Sequence, residues 1–471
     1  MLWFPIDRDS DVLLVQQVYK QIRSLILTEQ LGEHEKLPST RELADSIGVS
    51  RNTVTEAYDQ LILEGYVFVK PRSGTYVASG VVLKANEMEK REEHLTKWLE
   101  TEQQDDEIID FRASHPAMDH FPRKVWGRLA KEVCYDSHDD LFGYRSPLGD
   151  ETLRRVLTTY LTRTRGVSCH PEQIVITAGA TQGLSLITQL LMEEGDCVAV
   201  EDPVTDEMRT IFVKAGAEVE PIKADRNGIK PNELPTSRKP SFVFVIPSHQ
   251  FPLGAILPIQ RRIQLVEYVR KMDSYIVEDD YDSEFTYEGT AVYSMQGLDP
   301  ERVIYVGTFS KILSPALRIG YVILPKHLID RFKELKWFSD RHTATLEQQV
   351  MARFIEEGHL DQHVRRMKRI YEKRRRALVA ALGRTFQTLE IIGQAAGMHA
   401  VVEWEDLVVD ESFVNHCKEN GVIVYPVEYY ALKKGHHKKQ MVLGYGSLTE
   451  EEIDEGVRRL QKAVESYQPK N

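Results

Sequence analysis

The sequence predicts a multidomain protein, with a small, mainly α unit at the N-terminus and a large α/β domain behind it. Three observations predict this. The chain has 471 residues, about three domain-lengths at roughly 150 residues each. Apolar residues at helical spacing fill most of residues 1–78 before two short strand-like runs. From Ile108 onward, short apolar runs alternate with longer helical periods.

In the first unit, Val15, Val18, Ile22, Leu25 and Ile26 recur at helical spacing, and Gly32 closes that helix. Pro38-Ser39-Thr40-Arg41-Glu42 opens a second helix, with Ser39 as its cap and Glu42 as the capping-box partner. Gly48 breaks it. Ser50 caps a third helix, Arg51 to Leu63, whose inner face is Val54, Tyr58, Leu61 and Ile62 and whose end is Gly65. Tyr66 to Lys70 and Thr75 to Ala78 read as strands of a hairpin about Pro71-Arg72-Ser73-Gly74. Residues 79–108 change character, Glu, Lys, Asp and Gln dominating from Glu87 to Glu107; this predicts a charged linker, partly helical at most.

In the large domain the candidate strands are Ile174 to Thr177, Cys197 to Val200, Phe242 to Ile246, Tyr275 to Val277, Val303 to Val306 and Ile319 to Ile323. Helical patterns between several of them predict a mainly parallel, buried sheet. A last helix begins where Thr449 caps and Glu452 answers, with Ile453, Val457, Leu460 and Val464 on one face. No repeat occurs at solenoid or propeller periods.

Composition narrows the function. At 42% hydrophobic and 28% charged, the chain has ordinary soluble globular composition. No stretch approaches the ~18 apolar residues of a membrane span, and Met1-Leu-Trp-Phe-Pro-Ile-Asp7 has neither the basic nor the apolar region of a signal peptide. Cys134, Cys169, Cys197 and Cys417 form no CxxC or Cys/His cluster, which predicts a reducing cytoplasm and no structural metal. The net charge of -12 disfavours non-specific nucleic-acid binding, so a DNA contact must rest on a local site.

Helix, short helix, glycine turn, capped helix and hairpin make a winged helix-turn-helix arrangement, which offers such a site. Its third helix starts Ser50-Arg51-Asn52-Thr53, placing hydrogen-bonding side chains at a free helix N-terminus that can enter the major groove. Arg51 and Asn52 can read base edges, while Ser50 and Thr53 can hold phosphates. Arg41 can brace the backbone. Lys70 and Arg72, with Gly74 at the turn, can reach a second groove. Residues 1–80 carry 8 Lys and Arg against 11 Asp and Glu, so the unit is not basic. Such trihelices also occur in protein-binding modules, but here the cations sit at the helix start and the wing. Leu37-Pro-Ser-Thr-Arg-Glu-Leu-Ala44, Gly48-Val-Ser-Arg-Asn-Thr-Val54, Tyr58, Leu61, Glu64-Gly-Tyr66 and Gly74 resemble the GntR family of bacterial regulators. That resemblance implies double-stranded operator DNA as a partner.

The large domain holds three pieces of chemistry. Thr308-Phe-Ser-Lys311 follows an apolar strand, with Arg318 seven residues beyond the lysine. A Schiff-base lysine must be amine-like, and hydroxyls with an arginine suit a phosphate. Glu278-Asp279-Asp280-Tyr281 places carboxylates at the C-terminal end of a buried strand, where ligands of open α/β sheets sit. A carboxylate there can hold a pyridine nitrogen protonated; taken without Lys311, the same loop suits a cation such as Mg²⁺ equally well. In Ile174-Val-Ile-Thr-Ala-Gly-Ala-Thr-Gln-Gly183, a strand runs into small residues and a helix, leaving the amides of Gly179, Ala180 and Thr181 for a phosphate. There is no GxxxxGK[ST] loop for a nucleoside triphosphate.

Together these pieces resemble the fold-type I, aspartate aminotransferase-like domain that binds pyridoxal 5′-phosphate (PLP). A winged helix fused to it resembles the MocR (GabR-like) subfamily of GntR regulators, and Ser248-His-Gln-Phe-Pro-Leu-Gly254 fits that subfamily. The resemblance implies the domains: residues 1–78 winged helix, 79–108 linker, 109–471 PLP domain with a large subdomain to about 380 and a smaller α+β subdomain over about 381–471. It implies that Lys311 forms the internal aldimine and is the catalytic residue. Asp279 would pair the pyridine nitrogen, with Asp280 as its substitute, and Tyr281 would bond the ring hydroxyl. Arg318, Thr308 and Ser310 would join the Gly179-Ala180-Thr181 turn around the phosphate. Tyr144 would reach the phosphate of the partner subunit, which requires a homodimer. The effector would be a small amine, an amino acid or PLP itself; a working aminotransferase with an accessory DNA-binding domain, or a domain kept only for dimerisation, are the other readings.

Two departures bear on the ligand. Glu201-Asp-Pro-Val-Thr205 offers Thr205 where many relatives have a stacked aromatic. Lys438-Lys-Gln-Met-Val-Leu-Gly-Tyr445 has no arginine where an α-carboxylate clamp is expected, and a lysine cannot replace a planar fork. Transamination would therefore be residual at most. Residues 365–376 hold eight cations and one acid, which reads as a solvated helix face or as a second DNA contact. His359 and His363 stand at metal-ligand spacing without a third ligand, and His436-His437 carries no reading.

Overall fold

A computed structural model describes residues 4–8, 10, 12–81, 108–113, 115–288 and 292–468. Most of the expected linker, residues 82–107, lies outside them. The chain divides into two compact units, Met1–Asp105 and Asp106–Asn471.

In the first unit α1 spans Leu14–Leu27, α2 Thr40–Ile47 and α3 Arg51–Leu63, followed by the antiparallel pair β1 (Val67–Lys70) and β2 (Gly74–Val77). Gly32 does not close α1. The helix stops at Leu27 because Glu29 turns left-handed, with φ 63°, and the Gly32 amide instead donates to Glu35 Oε2 at 2.8 Å. The Ser39–Glu42 capping box forms in both directions. Gly48, at φ 71°, makes the turn between α2 and α3, a conformation that glycine adopts without steric cost. Ser50 Oγ accepts the Thr53 amide at 3.1 Å and so fixes where α3 begins. Val18, Ile22, Leu43, Val54, Leu61 and Val77 are fully buried between the helices and the hairpin.

The second unit begins with β3 (Ile109–Asp110), α4 (Arg123–Asp136) and α5 (Glu151–Arg165). Its main sheet has eight strands: β4 (Ile174–Thr177), β5 (Cys197–Asp202), β6 (Glu218–Asp225), β7 (Gly228–Ile229), β8 (Phe242–Val245), β9 (Tyr275–Asp280), β10 (Val303–Thr308) and β11 (Gly320–Ile323). Their order is β4-β11-β10-β9-β8-β5-β6-β7. Pairs within β10-β9-β8-β5-β6 are parallel, and β11 and β7 pair antiparallel to their neighbours. The central strands are buried along their length and have continuous apolar runs, as a sheet covered on both faces requires. β6 lacks such a run: Glu218, Glu220 and Lys223 are exposed near the sheet edge, so it reads as polar from sequence.

Between and after these strands come α6 (Ala180–Leu191), α7 (Asp206–Lys214), α8 (Ile259–Met272), α9 (Ile329–Asp340), α10 (Thr345–Glu356) and the long α11 (His359–Thr385). A second, antiparallel sheet follows, ordered β12-β13-β16-β15, from β12 (Leu389–Ile392), β13 (His399–Trp404), β15 (Tyr425–Pro426) and β16 (Gln440–Gly444). Around it lie α12 (Glu411–Glu419), β14 (Val422–Ile423), α13 (Val427–Tyr430) and α14 (Glu450–Ser466), the last carrying the Thr449–Glu452 capping box. β14 pairs with β3 in parallel, Ile109 opposite Val422, which draws Phe111 into the core beneath this sheet.

Candidate functional site

Strand register gathers the expected residues at one end of the main sheet. Thr177 lies opposite Gly320, Gly320 opposite Thr308, and Gly307 opposite Asp280. The chain after β4 therefore meets the chains before β11 and after β10. Gly179, at φ 86°, caps α6 with no side-chain acceptor on its first amides. A side chain at Gly320 would stand 2.7 Å from the Gly179 carbonyl carbon, and one at Gly179 would stand 2.8 Å from Arg318 Nη2. Arg318 bends back with φ 48° and donates to the Ala178 carbonyl at 2.7 Å. Thr308 Oγ1 donates to Ser310 Oγ at 3.0 Å and accepts the Ser310 amide at 3.1 Å. Free helix-start amides, a guanidinium and two hydroxyls at one place suit a phosphate dianion.

Lys311 follows in the turn after β10 and forms no hydrogen bond or ion pair with another described residue. Burial holds its ammonium below the ordinary lysine range, against the opposing pull of Asp282, Glu207 and Asp279. Desolvation of a lysine favours its neutral, nucleophilic amine form.

Alternation along β9 separates its two candidate carboxylates. Asp280 is paired: its Oδ2 lies 2.7 Å from Arg165 Nη2 and accepts the Tyr305 hydroxyl at 2.5 Å. Asp279 is 3% exposed, and its Oδ1 has no partner. Burial first, then the charges of Asp280 and Asp282, push the Asp279 carboxyl up to about 7. The Tyr281 hydroxyl donates to the His249 carbonyl at 3.1 Å. His249 Nδ1 in turn lies 3.0 Å from Asp282 Oδ2, both side chains being fully buried. A buried carboxylate without a partner lacks a cation, and a protonated pyridine nitrogen fits that need.

A pH dependence follows from Asp279. An aspartate raised from about 3.9 in the unfolded chain to about 7 in the fold ionises first in the unfolded chain. Its contribution to stability is present below the unfolded value and lost as pH rises through the folded one. Cofactor-free protein should therefore lose stability between about pH 4 and pH 7, by up to about 1.4 kcal/mol per unit for this group. Asp279→Asn should flatten that slope. It will not abolish the slope, because burial also raises Glu201 to about 8 and Glu284 to about 7. Urea midpoints at pH 5 and pH 8 check this; an unchanged slope removes Asp279 as its source.

Tyr144 is 77% exposed, with the Arg341 guanidinium 3.8 Å over its ring. Phe142, Tyr135 and Phe338 are also exposed. Thr205 caps α7, accepting the Met208 amide, so no ring stands at that position. Tyr430 and Phe251 have ring centres 5.0 Å apart, and the Tyr430 carbonyl holds the Val204 amide beside it.

On the first unit, Arg41, Arg51, Asn52, Lys70 and Arg72 are exposed. Arg51 Nε reaches Thr40 Oγ1 at 3.4 Å. The Ser50 and Thr53 hydroxyls lie 2.8 Å apart, so in the free protein they satisfy each other. The Lys70 ammonium sits 4.7 Å over the Tyr76 ring, and the wing turns at Arg72 (φ 64°) and Gly74 (φ 129°). Lys36 runs beneath Gly74 and adds a cation to the wing that the hairpin sequence alone does not show.

Much of the basic run on α11 is committed to the fold. Arg374 is buried and donates to the Gly446 carbonyl at 2.5 Å. Arg375 pairs with Glu288, Lys373 with Glu450 and Arg376 with Glu372. Arg365 and Arg369 stay exposed. His363 faces inward, bonded to the Ile312 carbonyl at 3.1 Å, and burial pushes it down to about 4; His359 lies against Glu357.

Arg165 and His249 belong to the site region but lack a local sequence signal, since their partners, Asp280 and Asp282, come from distant segments. His249 was visible only within the quoted Ser248–Gly254 segment.

Residues 106–460 match the family described as Aminotransferase class I and II, and residues 14–77 match Bacterial regulatory proteins, gntR family. The chain is 35% identical to the probable rhizopine catabolism regulatory protein MocR of Rhizobium meliloti, over 97% of this chain and 95% of that one. It is 30% identical to the pyridoxine biosynthesis transcriptional regulator PdxR of Corynebacterium glutamicum, over 93% of each. Among solved structures it resembles a Pyrococcus horikoshii kynurenine aminotransferase in complex with PMP, with TM-score 0.72 and 28% identity, over 80% of this chain and 94% of that one.

Proposed function

The chain belongs to the MocR-type transcriptional regulators, a gntR-family DNA-binding domain joined to a class I and II aminotransferase domain, and on that premise we propose that it holds PLP on Lys311 and reports a small effector to its operator. The observation that carries this is the pairing of an unpartnered, desolvated lysine with an unpartnered buried carboxylate, Asp279, at the rim of one sheet. In this reading Asp279 faces the pyridine nitrogen and Tyr281 turns its hydroxyl to the ring. The amides of Gly179, Ala180 and Thr181, with Arg318, Thr308 and Ser310, surround the phosphate. When bound, the cofactor supplies an aldehyde carbon to which primary amines exchange.

Tyr144 would extend to the cofactor phosphate of the other subunit of a homodimer; its 77% exposure supports that. Two winged helices would then read paired half-sites on double-stranded DNA in the cytoplasm, with Arg51 and Asn52 at base edges and Arg41, Lys70, Arg72 and the Gly74 turn on the backbone. No described helix is long and apolar enough to cross a membrane. The effector, an amine, an amino acid or PLP, acts by binding two arrangements of the protein unequally.

An operator selected from random duplexes tests the DNA half. Asn52→Ala should weaken operator binding by about 1–3 kcal/mol and relax the preference at one base position, while PLP still colours the variant. Operator affinity equal to wild type would remove α3 as the reading helix.

A further inference from the structure

The expected carboxylate clamp is missing from its strand: β16 offers Gln440, Met441, Val442, Leu443 and Gly444. Another segment lies across that strand's end. The Gly444 amide donates to the Phe111 carbonyl at 2.8 Å. A side chain at Gly444 would stand 2.2 Å from the Arg112 carbonyl oxygen, and one at Gly446 would stand 2.4 Å from that of His115. Two glycines thus let the backbone at Arg112 and His115 press against Gly444 and Gly446, at the end of the strand that was expected to carry the arginine.

Arg112 is the cation on that segment. Its Nε donates to the Tyr425 hydroxyl at 2.9 Å and lies 3.4 Å from Asp110 Oδ2, while Tyr425 donates to Asp110 Oδ1 at 2.9 Å. These contacts hold the inner edge of the guanidinium. Its side chain is 51% exposed, and Nη1 and Nη2 form no hydrogen bond with another described residue. The free end is the planar fork that carboxylates accept. It lies within electrostatic reach of the same group as the lysine: Lys311 and Arg112 both act by charge on His115, whose carbonyl Gly446 approaches. Glu207, exposed in the first turn of α7, acts by charge on both Lys311 and Tyr430. The rim therefore offers a cation and an anion, as a zwitterion requires.

We propose that Arg112 is the carboxylate clamp of the effector site, and that the effector is a primary amine bearing a carboxylate. This rests on the reading that Lys311 holds PLP. The clamp escaped the sequence because β3 brings Arg112 to the C-terminal sheet from the opposite end of the domain.

The test is a titration of PLP-loaded full-length protein, followed by its visible absorbance, with two isosteric pairs: L-alanine against isopropylamine, and β-alanine against n-propylamine. In at least one pair the carboxylate should bind about ten- to a hundred-fold more tightly than the plain amine, the range for one charge-assisted contact. Arg112→Gln should erase that preference and leave the plain amines unchanged, and Arg112→Lys should keep part of it. Unchanged binding of the amines shows that the cradle is intact in the variant. A coloured wild type with no carboxylate preference, or an Arg112→Gln variant that keeps it, overturns the clamp alone. A chain that PLP never colours overturns the reading beneath it as well.

Discussion

Lys311→Ala should abolish the covalent attachment of PLP proposed above, and with it every response of operator binding to amines. The expected loss is complete, because that attachment is a carbon–nitrogen double bond and Lys311 is the amine proposed to form it, so that borohydride fixes PLP to the wild type and not to the variant. The structure gives the reason for proposing it. The turn after β10 sets the lysine where burial lowers its proton affinity, while Asp279 and Asp282 hold it within reach by charge. The phosphate cradle is built from other residues, so the alanine variant should retain PLP non-covalently and more weakly. Operator binding without effector should stay at the wild-type level, since α3 and the wing lie in a separate compact unit. Protein mass after borohydride reduction, and operator titrations with and without an amine, check both halves. Cofactor fixed by reduction in the variant moves the covalent role to another amine.

Legibility in the sequence followed the range of the interactions involved. Ser39–Glu42 and Thr449–Glu452 were readable because a capping box closes within four residues. The central strands were readable because burial on both faces makes their runs continuously apolar. Lys311, Asp279 and Gly179 could be named because each sits in a short motif at a strand end. Gly32 failed as a helix stop because Glu29 adopted the left-handed turn first. Arg374 and Arg375 looked like surface charge, but their partners, Gly446 and Glu288, come from segments far along the chain. The choice between Asp279 and Asp280 also lay beyond the motif, because it turns on Arg165, which α5 delivers from more than a hundred residues away.

That arginine carries the second large effect. Arg165→Met should destabilise the large unit by about 3–5 kcal/mol, the usual cost of leaving one partner of a buried ion pair alone. Arg165 and Asp280 have side chains only 2% and 3% exposed, and the arginine also donates to Ser248 Oγ at 3.0 Å. Once the arginine is gone, Asp280 is left buried with no cation in contact and only the Tyr305 hydroxyl bonded to it. An uncompensated buried charge costs stability only while it is ionised, so the loss should be larger at pH 8 than at pH 5. Arg165→Met combined with Asp280→Leu should recover much of it, because an apolar pair removes both desolvated charges. Urea denaturation of the three variants at both pH values decides the matter. Equal losses at pH 5 and pH 8 would mean that Arg165 acts by packing alone. In that case Asp279 would not owe its lone position at the cradle to the ion pair on the opposite face of β9.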